Sequence, residues 1–570
     1  DNEDLEVSAA TVAVADGTAA ERGALNDTDD QAYLITAIET ARANIAAVPG
    51  SGPVRGVWSF NGTKYAVRDN AGATAGILHK ATTAGWVAQS LGETIAFTSG
   101  GTYEIKETDV IVGATSAATA VVRRVILTSG TFAGGDAAGR LIVDSVAGTF
   151  VSENLNVGAN TNVATIAADA VPIALPPGGR YEFINYNFFG AANKRRIYFA
   201  NGVGYAHEWD GVVAVPIITG MPVDTPKRVA AYKNHLFLGF PGGSLQNSSI
   251  GNPISWSAVL GAAEIGLGEE ITGLIADSET AMIVLGRNKV AYLTGDDSSN
   301  FLLQTIADDA GAIEWTAQRM QRPMFFDDGG LRDLIASDQF GDWRSGTVTR
   351  MVDPLIRAKR KAGITVTGSI RVREKGQYRV YYSDGTGLCV YLERKEPEAM
   401  PFDYGKAVRC CCAAEEVDGS DILLFGDDEG MVYEMDAGMS FDGEINSGYC
   451  RLAFNHFGSP QQQKRFHKVT LEVDASAGNT IGLTAEYGYA NPDQPPSPEQ
   501  SFSVRGEGGF WNEALWDQFY WSSPAEGLAE AHIDGLGRNI SITVISDVTY
   551  ERRHTLTGIT FNISPRKVLR

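Results

Sequence analysis

The densest basic run in this chain is Arg357, Lys359, Arg360 and Lys361, set in a protein with 47 basic and 69 acidic residues and a formal charge of -22. Cations at this spacing can contact phosphate or pair with carboxylates of a neighbouring subunit. On a helix they spread over more than one face, so both readings stay open. A second cluster is aromatic. Trp511, Trp516 and Trp521 share the stretch Gly506–Ser522 with three other aromatic residues. Rings at that density either close the end of a β-sandwich core or form a hot spot for another subunit or a fibre.

The remaining chemistry-bearing residues point away from catalysis. The seven histidines, His79, His207, His235, His456, His467, His532 and His554, do not pair at metal-ligand spacing, and His207 and His235 read as structural residues on strands. Asp427, Asp428 and Glu429, like Asp308 and Asp309, lack the spaced oxygen ligands of a calcium loop and read as solvated turns. Adjacent strand residues point to opposite faces, so Cys410, Cys411 and Cys412 cannot converge on one metal. With Cys389 and Cys450 they read as small apolar core residues of a reduced protein. No Gly-rich loop is followed by Lys-Ser/Thr, and no Gly-x-Ser-x-Gly occurs. The turn at Ser383–Leu388 could be a degenerate sialidase-type element, which keeps open a glycan-directed propeller enzyme or receptor-binding module. The expectation is a non-enzyme with no catalytic, metal or cofactor-binding residues and no cofactor.

The elements that position these residues are hairpins. Val57–Val67, Arg196–Tyr205, Tyr378–Tyr391 and Asp421–Tyr433 each join two alternating apolar stretches through a turn carrying Gly with Asn or Asp. Alternation buries one strand face, and the turn residues supply positive φ. Irregular hairpins sustained over residues 51–446 predict a β-propeller. Residues 100–168, poorer in aromatics, predict a small inserted β-domain that projects outward. Longer strands after Ser447 predict a β-sandwich over residues 447–570. One interrupting helix is predicted with Asp353 as N-cap, Pro354 in its first turn and Gly363 as stop. Residues 1–50 read as an arm whose helix, residues 29–45, carries Leu34, Ile38, Ala41 and Ile45 on one stripe. That helix packs on its own subunit or reaches a neighbour.

The fold class is therefore all-β: an irregular β-propeller with an inserted small β-domain and a C-terminal β-sandwich. An acid excess this large argues against a tight nucleic-acid binder, though not against a conduit through which DNA slides. No apolar stretch approaches the ~20 residues of a membrane helix, and Asp1–Ala10 has no signal-peptide character. Without an initiator Met, the chain is expected to start after processing or after disordered residues.

Several segments together resemble the tail nozzle proteins of short-tailed bacteriophages, also called tail tubular protein B or DNA-stabilising tail proteins. They are Ala200–Gly211, Ala230–Leu238, Ser249–Trp256, Ile271–Asp277, Leu285–Gly295, Met324–Leu331 and the closing Arg552–Arg570. The likeness spans residues 50–570, with the insertion at 100–168 departing from the simplest pattern. It implies a virion structural protein of the podovirus tail, assembled in the host cytoplasm as a homo-oligomeric ring, usually a hexamer, below the portal and its adaptor ring. Such a ring serves DNA retention and DNA ejection and carries tail fibres, spikes or a needle. Double-stranded DNA passes through it transiently, and it does not enter a membrane. On that reading Arg357, Lys359, Arg360 and Lys361 touch the DNA channel or an adjacent subunit, and Trp511, Trp516 and Trp521 belong to an interface.

Overall fold

The computed structural model describes residues 27–98, 101–191, 194–276, 281–336, 343–392, 397–415, 419–438, 440–445, 447–475, 479–489, 497–504, 526–546 and 554–566. Among them, a four-stranded antiparallel meander recurs six times and a three-stranded one once. These seven sheets are the blades of a propeller. Their first strands are Ser51–Phe60, Glu182–Tyr186, Arg228–Tyr232, Ile271–Ala276, Gln318–Arg319, Val366–Val372 and Cys410–Glu415. Each first strand lies beside the first strand of the next blade, and that of blade seven lies against that of blade one, so the ring closes.

Local sequence explains the hairpins and interblade packing explains their stability. Asn61 and Gly62 take φ of 50° and 73°, the pair of positive values a two-residue hairpin demands. Lys233 and Asn234 do the same at 48° and 59° without any glycine. Between blades one and two, Tyr65, Tyr181, Phe183, Phe199 and Trp209 form an aromatic core. Between blades five and six, Phe326, Tyr378 and Leu388 do the equivalent.

Closure uses Val54, Cys410, Cys412 and Leu424, with the Val54 amide donating to the Asp427 carbonyl at 3.0 Å. Arg68 reinforces it by donating to the carbonyls of Val48, Gly52 and Glu429 at 2.6, 2.8 and 2.9 Å. Gly430 is required here: its φ is +95°, and a Cβ would sit 1.9 Å from the Arg68 Nη1.

The inserted domain runs from Glu93–Thr98 to Val171–Pro172, wider at both ends than the 100–168 expected from composition. Six of its strands close into a barrel, because Glu93–Thr98 pairs with Ala138–Ala147 on one side and with Asn160–Ile166 on the other. Ile95, Phe97, Ile111, Leu141 and Leu155 fill it. It is held on the outer strands of blade two. Arg124 donates to the buried Glu208 at 2.6 Å, and Arg140 to the Pro216 carbonyl at 2.5 Å.

Among the described residues, a separate unit comprises those within 27–45, 402–406 and 436–566. Its sandwich pairs the sheet of Gly448–Arg451, Ile540–Ser546, Asn479–Tyr487 and Gln500–Val504 with that of Glu526–Gly537, Lys464–Ala475 and His554–Pro565. Phe466, Val469, Leu471, Leu483 and Ile542 are sealed between them. Lys464 is buried among carbonyls, donating to Ser459, Gln462 and Arg538 at 2.7, 3.1 and 3.2 Å. Helix α1, Asp27–Ala43, belongs to the same unit, and its Arg42 pairs with Asp442 at 3.1 Å. Ile38 is buried, but the helix ends before Ile45, which is 63% exposed and lies off the expected stripe.

Candidate functional site

Residues of non-adjacent blades meet across the propeller axis. Arg180, just before the first strand of blade two, stacks over Trp315, just before that of blade five, with its guanidinium 4.2 Å from the ring centroid. It also donates to the Thr367 carbonyl in blade six. Arg228, at the start of blade three, lies 3.9 Å from the same ring. In a seven-membered ring these contacts can form only through the centre, so the axis is filled at this level.

The hub is charged and half-buried, with Arg228 fully buried in it. Burial lowers the pKa of Arg180 and raises that of Glu182, which accepts from the Val229 amide at 2.9 Å. Partial burial of Glu314 would raise its pKa, but Lys227 and Arg228 outweigh this and hold it below the ordinary value. Lys227 bonds both Glu314 and Glu270, the latter at 2.9 Å. The Trp315 carbonyl receives the Ser369 amide at 2.9 Å, and the Cys411 thiol donates to the Ser369 carbonyl at 3.3 Å. Gly368 admits the crossing guanidinium, since a Cβ there would stand 2.8 Å from Arg180 Nη2. Nothing in the sequence links positions 180, 228 and 315, and the only local signal was a charged residue opening the apolar strand at Arg228.

In an antiparallel meander, the connections two-to-three and blade-to-blade open on one face, and the others open on the opposite face. The first of these faces receives the basic run. Helix α2, Asp353–Lys361, connects blades five and six. Its N-cap is Val352 rather than Asp353, because the Arg350–Val352 turn leads directly into it, and Asp353 instead pairs with Arg357 at 2.8 Å. Lys359 is half-buried, bonded to Asp384 at 2.9 Å and to the Thr386 hydroxyl, and it sits 4.9 Å from the Tyr382 ring centroid. Arg360 is exposed and reaches the Asp328 carbonyl at 3.3 Å. Lys361 is exposed. The four cations thus do not form one patch: three are engaged by their own chain, two of them with side chains left largely in solvent.

Beneath α2 lies a cleft of about 390 Å³. Its walls are Ile313, Phe326, Ile356, Ile364, Val366 and Tyr382, and its rim carries Arg287, Arg360, Asp327 and Asp328. Arg287 and Asp328 pair at 2.9 Å.

The other residues marked in the sequence are structural where they are described. Burial holds His207 down at about 4 and it stacks on Phe199 at 5.3 Å. His235 Nδ1 bonds the Ser248 carbonyl at 2.6 Å. Asp427 is not a solvated turn residue. It is buried, and its carboxylate accepts from the amides of Glu429 and Met431 at 2.9 and 2.8 Å. Asp428 pairs with Arg409 at 2.6 Å. Cys389, Cys410 and Cys412 are buried, Cys411 faces the opposite way, and Cys450 is exposed, on a strand whose four residues all face solvent. Among the described residues, no group of three or more His, Cys, Asp or Glu is arranged to hold a metal ion. No helix of the described residues is long and apolar enough to cross a membrane. Trp511, Trp516 and Trp521 lie outside the described residues.

No family model matches the chain, and no curated protein matches it. Among solved structures it is similar to BBS1N in complex with ARL6DN, soaked with mercury, at 11% identity and a TM-score of 0.31, covering 61% of this chain and 96% of that one. The lead-soaked form of that complex gives 11% and 0.31, covering 62% and 99%. The Mitotic Checkpoint Complex gives 11% and 0.31, covering 60% and 92%. Likenesses this faint assign no function, and the propeller stands on its own strand pairing.

Proposed function

We propose that this chain is a virion structural subunit of a short-tailed phage. On this reading it builds the ring-shaped tail nozzle that retains genomic DNA, releases it on infection, and receives the adaptor ring above and fibres or spikes outside. The observation that carries the reading is where the resembling segments fall. Ala200–Gly211 lies in blade two, Ala230–Leu238 and Ser249–Trp256 in blade three, the described part of Ile271–Asp277 (to Ala276) and Leu285–Gly295 in blade four, and Met324–Leu331 in blade five. These six occupy consecutive blades, and the seventh, Arg552–Arg570, overlaps the sandwich strand His554–Pro565.

Two physical features agree with it. The propeller axis is filled by Trp315, Arg180 and Arg228, so a conduit has to run between copies and not through one. The net charge of -22 suits a wall past which a polyanion slides, because phosphates are repelled rather than captured.

The test is the mass of the purified full chain by light scattering, with a parallel assay for binding or hydrolysis of polysaccharide. The reading requires a homo-oligomer without polysaccharide hydrolysis. A stable monomer or trimer that binds glycan would replace it with a glycan-directed module.

A further inference from the structure

The β-sandwich is sealed along one side and open along the other. On the sealed side the edge strands Gln500–Val504 and Glu526–Gly537 are laced together: the His532 amide donates to Gln500 Oε1 at 3.1 Å, and Gln500 Nε2 donates back to the His532 carbonyl. The open side is formed by Gly448–Arg451 and His554–Pro565, each the outermost strand of its sheet. Burial follows that difference. Phe466, Val469, Leu471 and Val473 on the central strand are fully buried, whereas the residues paired with them on His554–Pro565, which are Ile563, Phe561, Ile559 and Leu556, face the same core and are only half-buried. The 12 residues of His554–Pro565 include no Asp, Glu, Lys or Arg. Among the described residues this strand pairs only with Lys464–Ala475, so its outer edge is a row of unused backbone donors and acceptors. Soluble proteins blunt such an edge with charge, proline or a bulge. Here Pro565 stands at the very end and a bulge falls at Thr557, which leaves Gly558–Ser564 as an unprotected run.

We infer that Gly558–Ser564 pairs with the same run of a second copy, antiparallel about a two-fold axis through Phe561. The occupant of a free strand edge must itself be an extended strand, and this strand is complementary to itself. In an antiparallel pair, residues directly opposite each other point to the same face. Centring on Phe561 sets that residue against its own counterpart and Ile559 against Ile563 on the core face, and Thr560 against Asn562 on the outer face. Alternation therefore continues across the contact. Apolar side chains close the half-open cores of both copies, and hydroxyl meets carboxamide on the wet side. Charge selects the same partner. A chain of formal charge -22 repels its own copies, and along this strand two of them can meet with no like charges opposed. A two-fold contact is isologous and closes at two copies, so it adds a second self-contact to the one that a ring requires and goes beyond the ring reading.

Two double variants of the full-length protein test this, at outer-face positions already open to water. Thr560→Lys with Asn562→Lys sets like charges opposite each other across the axis and should raise the dissociation constant of the pair about tenfold or more in analytical ultracentrifugation. Thr560→Lys with Asn562→Glu sets opposite charges there instead and should restore the association of the parent. Both should keep the parent's circular dichroism. A benzophenone amino acid at position 562, in a mixture of ¹⁵N-labelled and unlabelled chains, should cross-link between copies to the peptide containing Thr560. Association unchanged in both variants or lost equally in both, or cross-links that land elsewhere, would overturn this contact while an assembled parent keeps the ring reading. A parent of two copies supports the contact without the ring, and a parent that stays a single copy defeats both.

Discussion

Replacing Trp315 by Ala tests whether the axis is a mechanical hub. The indole receives two guanidiniums, those of half-buried Arg180 and buried Arg228, at 4.2 and 3.9 Å, and each such cation–π contact contributes about 1–2 kcal/mol. Loss of the ring's packing brings the total to about 4 kcal/mol, within the usual cost of Trp→Ala. Trp315 also holds a φ of 65°, a strain that Ala shares and that therefore cancels in the difference. Propeller residues 46–401 and 407–435 unfold with an entropy near ~0.8 kcal/mol/K at about 2.1 cal/mol/K per residue. The melting temperature should thus fall by about 5 °C in scanning calorimetry. Trp315→Phe keeps an aromatic face and should lose roughly a third of that. A double-mutant cycle with Arg228→Met isolates the stacking, with an expected coupling of about 1–2 kcal/mol. Additive losses, or equal losses for Ala and Phe, would refute the hub.

Four further outcomes follow from the same structure. His207, held at about 4 against an ordinary 6.5, must stay neutral in the fold. Stability is therefore fullest above pH 6.5 and declines by up to about 3 kcal/mol as pH falls to 4. His207→Phe should flatten that slope in pH-resolved denaturant titrations, and an unchanged slope would contradict it. Burial would raise Glu153, but the Ser116 hydroxyl and the amides of Ser116, Thr115 and Val151 bring it down to about 2. Glu153→Gln should accordingly remove barrel stability that is present above pH 4.5 and lost as pH falls towards 2, readable from hydrogen exchange of the barrel amides. Burial raises the Cys411 and Cys410 thiols to about 11 and about 12, so Cys450 alone should react quickly with a thiol reagent in the native protein, and prompt labelling of the 410–412 run would argue against that core. Gly430→Ala, meeting Arg68 at 1.9 Å, should open the seam between blades one and seven and cost about 3 kcal/mol or more, whereas Gly405→Ala, with nothing near it, should cost only the strain of its own φ of +65°.

What the sequence made legible was local. Asn61-Gly62 and Asp384-Gly385 declared their hairpins because turn chemistry is set by two residues. The α2 helix was legible from Pro354 and Gly363, although its cap was misplaced by one residue. Blade number was not legible, because nothing in a hairpin states which hairpin it packs beside. The barrel was seen as a change of texture, yet its closure depends on Glu93–Thr98 pairing with Asn160–Ile166 across the whole insertion. The axis was least legible of all. Arg180 and Trp315 meet only after the ring has formed, and the spread of the basic run over several helix faces was legible while its partners Asp353, Asp384 and Asp328 were not.

Class-averaged images of the purified full-length protein bear most directly on the central claim. The expected result is a closed ring of several copies around a channel wider than duplex DNA, with no passage along any single propeller. Isolated single copies, or a ring whose opening is narrower than the duplex, would contradict it.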